Sequence, residues 1–199
     1  SVNFEKYFWY LDKISIFYAT GPIALVLGLL MTKPLSKRFG KRNALIGLTM
    51  ISAVLTIAFY FVPASNFEQI FWLNIVSAFM AGPMPALVWA IYTDVVDYGE
   101  WKFDRRITAL TFAAAMFVQK AGLALGGWSV GLLLGYFGYI ANVDQSERSL
   151  NGILLMFSII PGVLTILSGV ILFWYNIGDD EVENIAIELE ERRKSVSAK

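Results

Sequence analysis

The stretch that decides the fold is TDVVDYGEWKFDRRITALTFAAAMFVQKAGLALGG, residues 93–127. It joins a charged segment to a long, apolar, glycine-rich segment that holds one lysine, Lys120. If the apolar segment is helical, Lys120 lies about 21 Å of helical rise beyond Arg106, the last charge before it. A lysine side chain reaches over roughly one turn toward water, so this ammonium group stays in the apolar layer. Because a cation at that depth is costly, we treat Lys120 as a candidate functional residue.

The composition is that of an all-α membrane protein. Apolar residues make up 57% of the 199 residues and charged residues 16%, whereas soluble domains carry about 25% charged residues. Five runs, uncharged apart from Lys120, exceed the ~18 residues that a spanning helix needs. We predict a bundle over residues 1–178 that contains five complete transmembrane helices and the end of a sixth. The predicted helices lie near residues 14–32, 43–62, 69–93, 107–138 and 150–177, with the remnant at residues 2–10. That remnant leads us to expect a fragment.

The loops predict the orientation. Residues 33–42, KPLSKRFGKR, hold five bases and no acid, so the positive-inside rule places this loop in the cytoplasm. Alternation then puts residues 94–106 and the C-terminus in the cytoplasm as well. Residues 179–199 form an amphipathic tail, which we expect either to dock on the cytoplasmic loops or to bind a regulatory partner.

Proline and glycine interrupt the predicted spans. Gly82, Pro83 and Pro85 break the third span, because two amide donors are missing there. Such breaks are tolerated beside cavities, so a gate or binding cavity is an alternative to a simple kink. Trp89 and Tyr92 follow the break; their rings would stack on a sugar or lie in the interfacial aromatic belt.

Acidic residues gather at the end of the third span. Asp94 and Asp97 share one helical face, at a helix end where the macrodipole prefers cations. We predict that these two, with Glu100, Arg105 and Arg106, form an ionic gate on the cytoplasmic side. The alternative is ordinary solvated charge at a membrane boundary.

Lys120 has three interpretations: a deeply placed snorkelling residue, a structural ion pair, or part of a cation or substrate site. The five spans contain no carboxylate in the same layer. The partner of Lys120 is therefore expected outside this chain, unless the lysine is neutral. Gln119 adjoins it but points elsewhere on the helix.

Other kinds of function find little support. The net charge is zero, so no nucleic-acid partner is indicated, and the chain has no cysteine and no histidine. GWSVG at residues 127–131 matches a nucleophile-elbow pattern, but it lies inside an apolar helix and the usual base is missing. We expect no enzyme activity, no cofactor and no metal site within this chain.

Four motifs carry a family resemblance. They are DVVDYGEWK at residues 94–102, QKAGLALGG at 119–127, GYIANVDQS at 138–146 and FGKR at 39–42. Together with Arg105 and Arg106, they resemble the glycoside–pentoside–hexuronide:cation symporters of the major facilitator superfamily. The resemblance covers nearly the whole chain.

The resemblance implies that the five spans are helices eight to twelve of a twelve-helix transporter in the bacterial inner membrane. The N-terminal half, absent here, would carry the cation-site carboxylates and so supply the partner of Lys120. The residues one turn before that lysine would face the sugar, and Met116 holds that place. We therefore expect half of a secondary active transporter that moves a sugar or glycoside with Na⁺ or H⁺ by alternating access. The alternative is a non-transporting membrane sensor or scaffold that binds a partner through its cytoplasmic loops.

Overall fold

The computed structural model describes residues 4–63, 66–105 and 107–197, and all regular structure in these residues is helical. The helices are α1 Phe4–Leu29, α2 Thr32–Phe39, α3 Lys41–Ala58, α4 Phe67–Ala81, α5 Met84–Phe103, α6 Thr108–Tyr136, α7 Glu147–Phe157, α8 Ile159–Ile171 and α9 Asp179–Ser197. Short 3-10 turns, Phe59–Phe61 and Leu172–Trp174, extend α3 and α8. The prediction of an all-α membrane protein is confirmed.

Four stretches are long and apolar enough to cross a membrane: Lys41–Phe61, Phe67–Phe103, Thr108–Tyr136 and Glu147–Trp174. A fifth results if Ser15–Leu29 and Thr32–Phe39, which are bent by 43° at a short break, count as one span. The chain is thus a multi-pass membrane protein with four or five apolar crossings among its described residues.

Several expected boundaries differ from the structure. The predicted helix remnant is not separate, because α1 runs without interruption from Phe4 to Leu29. The third span does not end at the first acid. Instead α5 continues to Phe103, so the predicted charged loop is largely helical. No proline lies between Asp94 and Phe103, and α5 keeps a buried face there through Val96 and Gly99.

Proline accounts for the breaks inside the third and fifth predicted spans. A proline ring clashes with the carbonyl group four residues earlier, which for Pro85 is that of Ala81, where α4 ends. For Pro161 it is the carbonyl of Phe157, where α7 ends before α8 begins at Ile159. The fifth predicted span, residues 150–177, is therefore two helices and a final turn.

The core lies between α3 and α5. Ala44, Leu45 and Leu48 of α3 pack against Leu87 and Ile91 of α5, and all five are buried. The helix α8 runs along α3, α1 packs on α4, and α9 packs on α5. In contrast, α6 has no buried residue.

The crossing of α1 and α4 depends on two glycines. A Cβ atom at Gly28 would collide with the carbonyl oxygen of Phe79, and one at Gly82 with that of Leu25. The two backbones therefore touch at this crossing, which fixes the position of the break before α5.

Candidate functional site

The first candidate site is at the end of the bundle where α9 lies. Asp94 is 7% exposed, and its carboxylate forms an ion pair with the ammonium group of Lys41. Asp94 follows Leu87 and Ile91 on the buried face of α5, which explains why it points inward. Lys41 is the first residue of α3, directly after Gly40, whose φ of 81° few other residues adopt.

The amino end of α3 is also bound to α9. The backbone N–H of Lys41 donates a hydrogen bond of 2.9 Å to Oδ2 of Asp179. We call Lys41, Asp94 and Asp179 the Lys41 cluster. Next to it, Arg42 donates a hydrogen bond of 2.8 Å to the carbonyl oxygen of Phe173, so the start of α3 is tied to the end of the last span.

Tyr175 reports the electrostatics of this region. Burial first, and then the negative charges of Asp94, Asp179 and Glu181, raise the pKa of the Tyr175 phenol to about 12. The phenol therefore stays neutral at physiological pH. The Arg42 guanidinium acts in the opposite direction, but it does not outweigh burial and the three carboxylates.

The tail helix α9 is anchored on the end of α5. Ile185 and Leu189 are buried, and the indole N–H of Trp101 donates a hydrogen bond of 2.7 Å to Glu188. Arg192 donates to Asp104 at 3.0 Å and to the carbonyl oxygen of Trp101 at 3.3 Å. Of the two interpretations of the tail, docking within the chain is the one found here.

The remaining predicted gate residues take different positions. Asp97 and Glu100 are half-buried on α5, whereas Arg105 is exposed in the link to α6. Arg106 lies outside the described residues. The structure thus pairs Asp94 with Lys41, and not with Arg105.

The second candidate site is the face of α6 that carries Lys120. The side chain of Lys120 is exposed and forms no hydrogen bond or ion pair with any residue that the structure describes. Gln119 is exposed as well. A Cβ atom on the nearby glycines would meet nothing within 4 Å; these are Gly122, Gly126, Gly127, Gly131 and Gly135. Gly127, Gly131 and Gly135 lie within about 60° of Lys120 around the helix, whereas Gly122 and Gly126 lie on the opposite side. The Lys120 face is therefore open at the first three of these glycines.

An aromatic cluster stands at the start of this face. Trp89 stacks on Phe112 with ring centres 5.8 Å apart and an interplanar angle of 18°. Tyr92 meets Trp89 edge-on at 5.7 Å. Trp89 remains 45% exposed and Met116 41% exposed. Phe112, Met116 and Lys120 follow each other at four-residue spacing, so Lys120 lies two turns, about 12 Å, beyond the aromatic cluster.

Sequence reasoning missed Lys41 and Phe112. Lys41 lies in the basic segment KPLSKRFGKR, but only the folded chain distinguishes it from its four basic neighbours there. Phe112 could have been recognised from the sequence, because it precedes Met116 and Lys120 at four-residue spacing on one helical face. Within the part of the chain that the structure describes, no group of three or more His, Cys, Asp or Glu residues could hold a metal ion.

The chain was compared with known proteins. The family model for MFS/sugar transport protein matches residues 3–179. The uncharacterized symporter YnaJ of Bacillus subtilis is 35% identical over 157 residues, which are 78% of this chain and 34% of that protein. The inner membrane symporter YicJ of Escherichia coli is 31% identical over 167 residues, which are 82% of this chain and 36% of that protein.

A third relative is the glucuronide carrier protein homolog of Escherichia coli. It is 28% identical over 157 residues, which are 79% of this chain and 34% of that protein. The chain therefore spans about a third of the length of these three relatives. The resemblance to a sugar:cation symporter family, inferred from four motifs, is confirmed.

Proposed function

The chain belongs to the MFS/sugar transport protein family, and from that membership we propose that it is part of a secondary active transporter. The complete protein would carry a sugar or glycoside together with Na⁺ or H⁺ across the bacterial inner membrane. The observation that carries the proposal is Lys120, a cation in the middle of an apolar helix with no partner among the described residues.

The open face of α6 supports this proposal. A charge inside a membrane almost always faces a bundle interior or a water-filled cavity and pairs with another group. Small residues allow a second helix to approach closely, and Gly127, Gly131 and Gly135, on the same side of α6 as Lys120, leave that space open. We assign this face to contact with the preceding half of the transporter, whose acids would pair with Lys120.

The sugar site would lie between Lys120 and the aromatic cluster. Trp89 has a partly exposed ring that Phe112 holds in place, and sugars present apolar C–H faces to such rings. Met116 lies between the two. Gln119 points about 100° away from Lys120 around α6, toward the side of Met116 and Phe112, and would contribute a polar group there. The ammonium group would balance the charge of the coupling ion's ligands.

Alternating access requires one end of the pathway to close. The Lys41 cluster lies at the end of α3 and α5, and we assign it, with Asp97, Glu100, Arg105 and Arg106, to a gate on the cytoplasmic side. The break at Gly82, Pro83 and Pro85 separates α5 from α4 and would let the gate end of α5 adjust.

The test is sugar uptake by the full-length protein in sealed vesicles. An imposed inward gradient of Na⁺ or H⁺ should drive accumulation of a labelled glycoside, and an ionophore that collapses the gradient should abolish it. Comparing the two gradients identifies the coupling ion. Binding of the sugar without uptake or counterflow would contradict transport and support the sensor or scaffold interpretation.

A further inference from the structure

Lys41 is held at two points by two different helices. Its side chain pairs with Asp94 of α5, and its backbone N–H donates to Asp179 of α9. The first N–H groups of a helix have no partner within the helix, and a carboxylate there is favourable. Gly40 cannot supply it because it has no side chain. Asp179, 138 residues away in sequence, takes that role.

The turn before α3 is shaped to admit Asp179. A Cβ atom at Gly40 would collide with Oδ2 of Asp179, and the φ of 81° at this position disfavours other residues independently. The backbone angle thus favours glycine at this position, and a Cβ atom there would also displace the Asp179 carboxylate from its place beside the Lys41 N–H. Asp180, the next residue, carries the same charge and is exposed.

The helix that brings Asp179 here is fixed to the helix that carries Asp94. Ile185 and Leu189 are buried, and Glu188 accepts a hydrogen bond from Trp101 of α5. The contacts therefore form a closed ring, from α5 through Asp94, Lys41 and Asp179 into α9, and back to α5. A movement of α9 changes the place of Lys41 relative to Asp94.

We propose that Asp179 is a positioning residue of the gate: it holds the start of α3 so that the Lys41 ammonium group stays on Asp94. The lysine's side chain is 25% exposed and that of Asp94 9%, so water competes for the lysine but hardly for the carboxylate. Holding the backbone of Lys41 keeps the pair together without burying the lysine further. The role in gating rests on the proposed transport function, whereas the coupling of the three residues does not.

The decisive experiment is a double-mutant cycle on the thermal unfolding of the full-length protein in detergent. Asp179→Ala should lower the apparent Tm of the native protein. In the Asp94→Asn background, the lysine has no charged partner. The Tm shift caused by Asp179→Ala should therefore be less than about half of its value in the native background. Equal shifts in both backgrounds would mean that Asp179 acts only as a helix cap, and would overturn the proposal.

Two further variants distinguish positioning from loss of charge. Asp179→Asn keeps an acceptor oxygen for the Lys41 N–H and should retain most of the native Tm. Asp180→Ala removes the same charge one residue away and should leave the Tm close to native. A shift in Asp180→Ala as large as that in Asp179→Ala would contradict the proposal.

Uptake measurements then test the gating role. Asp179→Ala should lower the maximal rate about threefold or more with KM unchanged, and this loss should shrink in the Asp94→Asn background. A change in KM alone would contradict a gating role. If the native full-length protein accumulates no sugar, the proposed function fails, while the unfolding cycle still decides whether Asp179 positions Lys41.

Discussion

Asp94 and Lys120 are charged residues within two of the apolar stretches that are long enough to cross a membrane, but their surroundings in the chain are opposite. Asp94 is buried and has its counter-charge within the chain, from Lys41. Lys120 is exposed, and no partner for it lies among the described residues. An unpaired charge in a membrane is costly. The difference therefore separates a charge that is paired within the chain from one that still needs a counter-charge.

The surroundings of the two residues differ in the same way. Around Asp94, three helices converge, and α9 covers the end of α5. Around Lys120, α6 buries no residue, although its glycines are the kind of surface that helices pack against in membranes. The matched residues make up only 34–36% of the relatives named above. Under the proposed function, the preceding half of the transporter would pack on α6, whereas Asp94 already has its counter-charge within this chain.

Removing the charge of Lys120 should have the largest effect on sugar uptake. In the full-length protein, Lys120→Ala should reduce cation-driven sugar uptake by about 100-fold, because it leaves acids of the other half without their counter-charge. Lys120→Arg keeps the charge and should retain more activity than the alanine variant. Lys33→Ala, which removes an exposed base of α2, is the control.

Uptake in Lys120→Ala equal to that of the native protein would remove this residue from the mechanism. It would also remove the contrast with Asp94, because the lysine would then be a tolerated charge rather than half of a site.

Breaking the ion pair between Lys41 and Asp94 should lower uptake by a smaller factor, and it should also lower the stability of the protein. Lys41→Met leaves Asp94 buried and unpaired, which costs about 3–5 kcal/mol for a fully buried pair. The partial exposure of the lysine places the loss at the low end of that range. We expect a lower apparent Tm and a roughly tenfold lower maximal uptake rate.

The exchange variant Lys41→Asp with Asp94→Lys restores opposite charges and should recover part of the stability. Lys37→Met, which removes an exposed base from the same loop, is the matched control. If Lys37→Met lowers the Tm as much as Lys41→Met, the pair with Asp94 is not the cause.

The helices were predictable because membrane spans are determined locally. The lengths of the apolar runs and the positions of Pro83 and Pro85 indicate where helices cross and where the third span breaks. The break near Pro161 was not predicted, because residues 150–177 were taken as one continuous span. The end of α5 was misplaced because Asp94 was taken as the water boundary, whereas a helix continues until something breaks it. Because Asp94 is buried and paired with Lys41, it does not mark the point where α5 enters water, and the helix continues to Phe103.

The partners in the candidate site were less predictable, because they depend on contacts between distant segments. The choice of Lys41 over four neighbouring bases follows from the turn at Gly40 and the packing of α3 on α5. The docking of α9 was one of two open interpretations, since an amphipathic pattern shows that a face will be buried but not against what. Lys120 was recognisable from its depth alone.

Substitutions in the aromatic cluster test whether the open face of α6 contributes to the sugar site, and their expected effects are the smallest. Trp89→Ala removes a ring that we assign to the sugar, and loss of about 1 kcal/mol of stacking corresponds to a roughly fivefold higher KM. The maximal rate should change little, because the gate and Lys120 are untouched. Phe112→Ala, which removes only the ring that supports Trp89, should raise KM by a smaller factor.

Trp72→Ala is the control, since Trp72 is an exposed tryptophan on α4, away from this face. KM values measured over a range of sugar concentrations in vesicles distinguish these cases. If Trp72→Ala and Trp89→Ala raise KM equally, the sugar does not stack on Trp89. The tryptophan would then belong to the interfacial aromatic belt, and the open face of α6 would bind the other half of the protein without contributing to the sugar site.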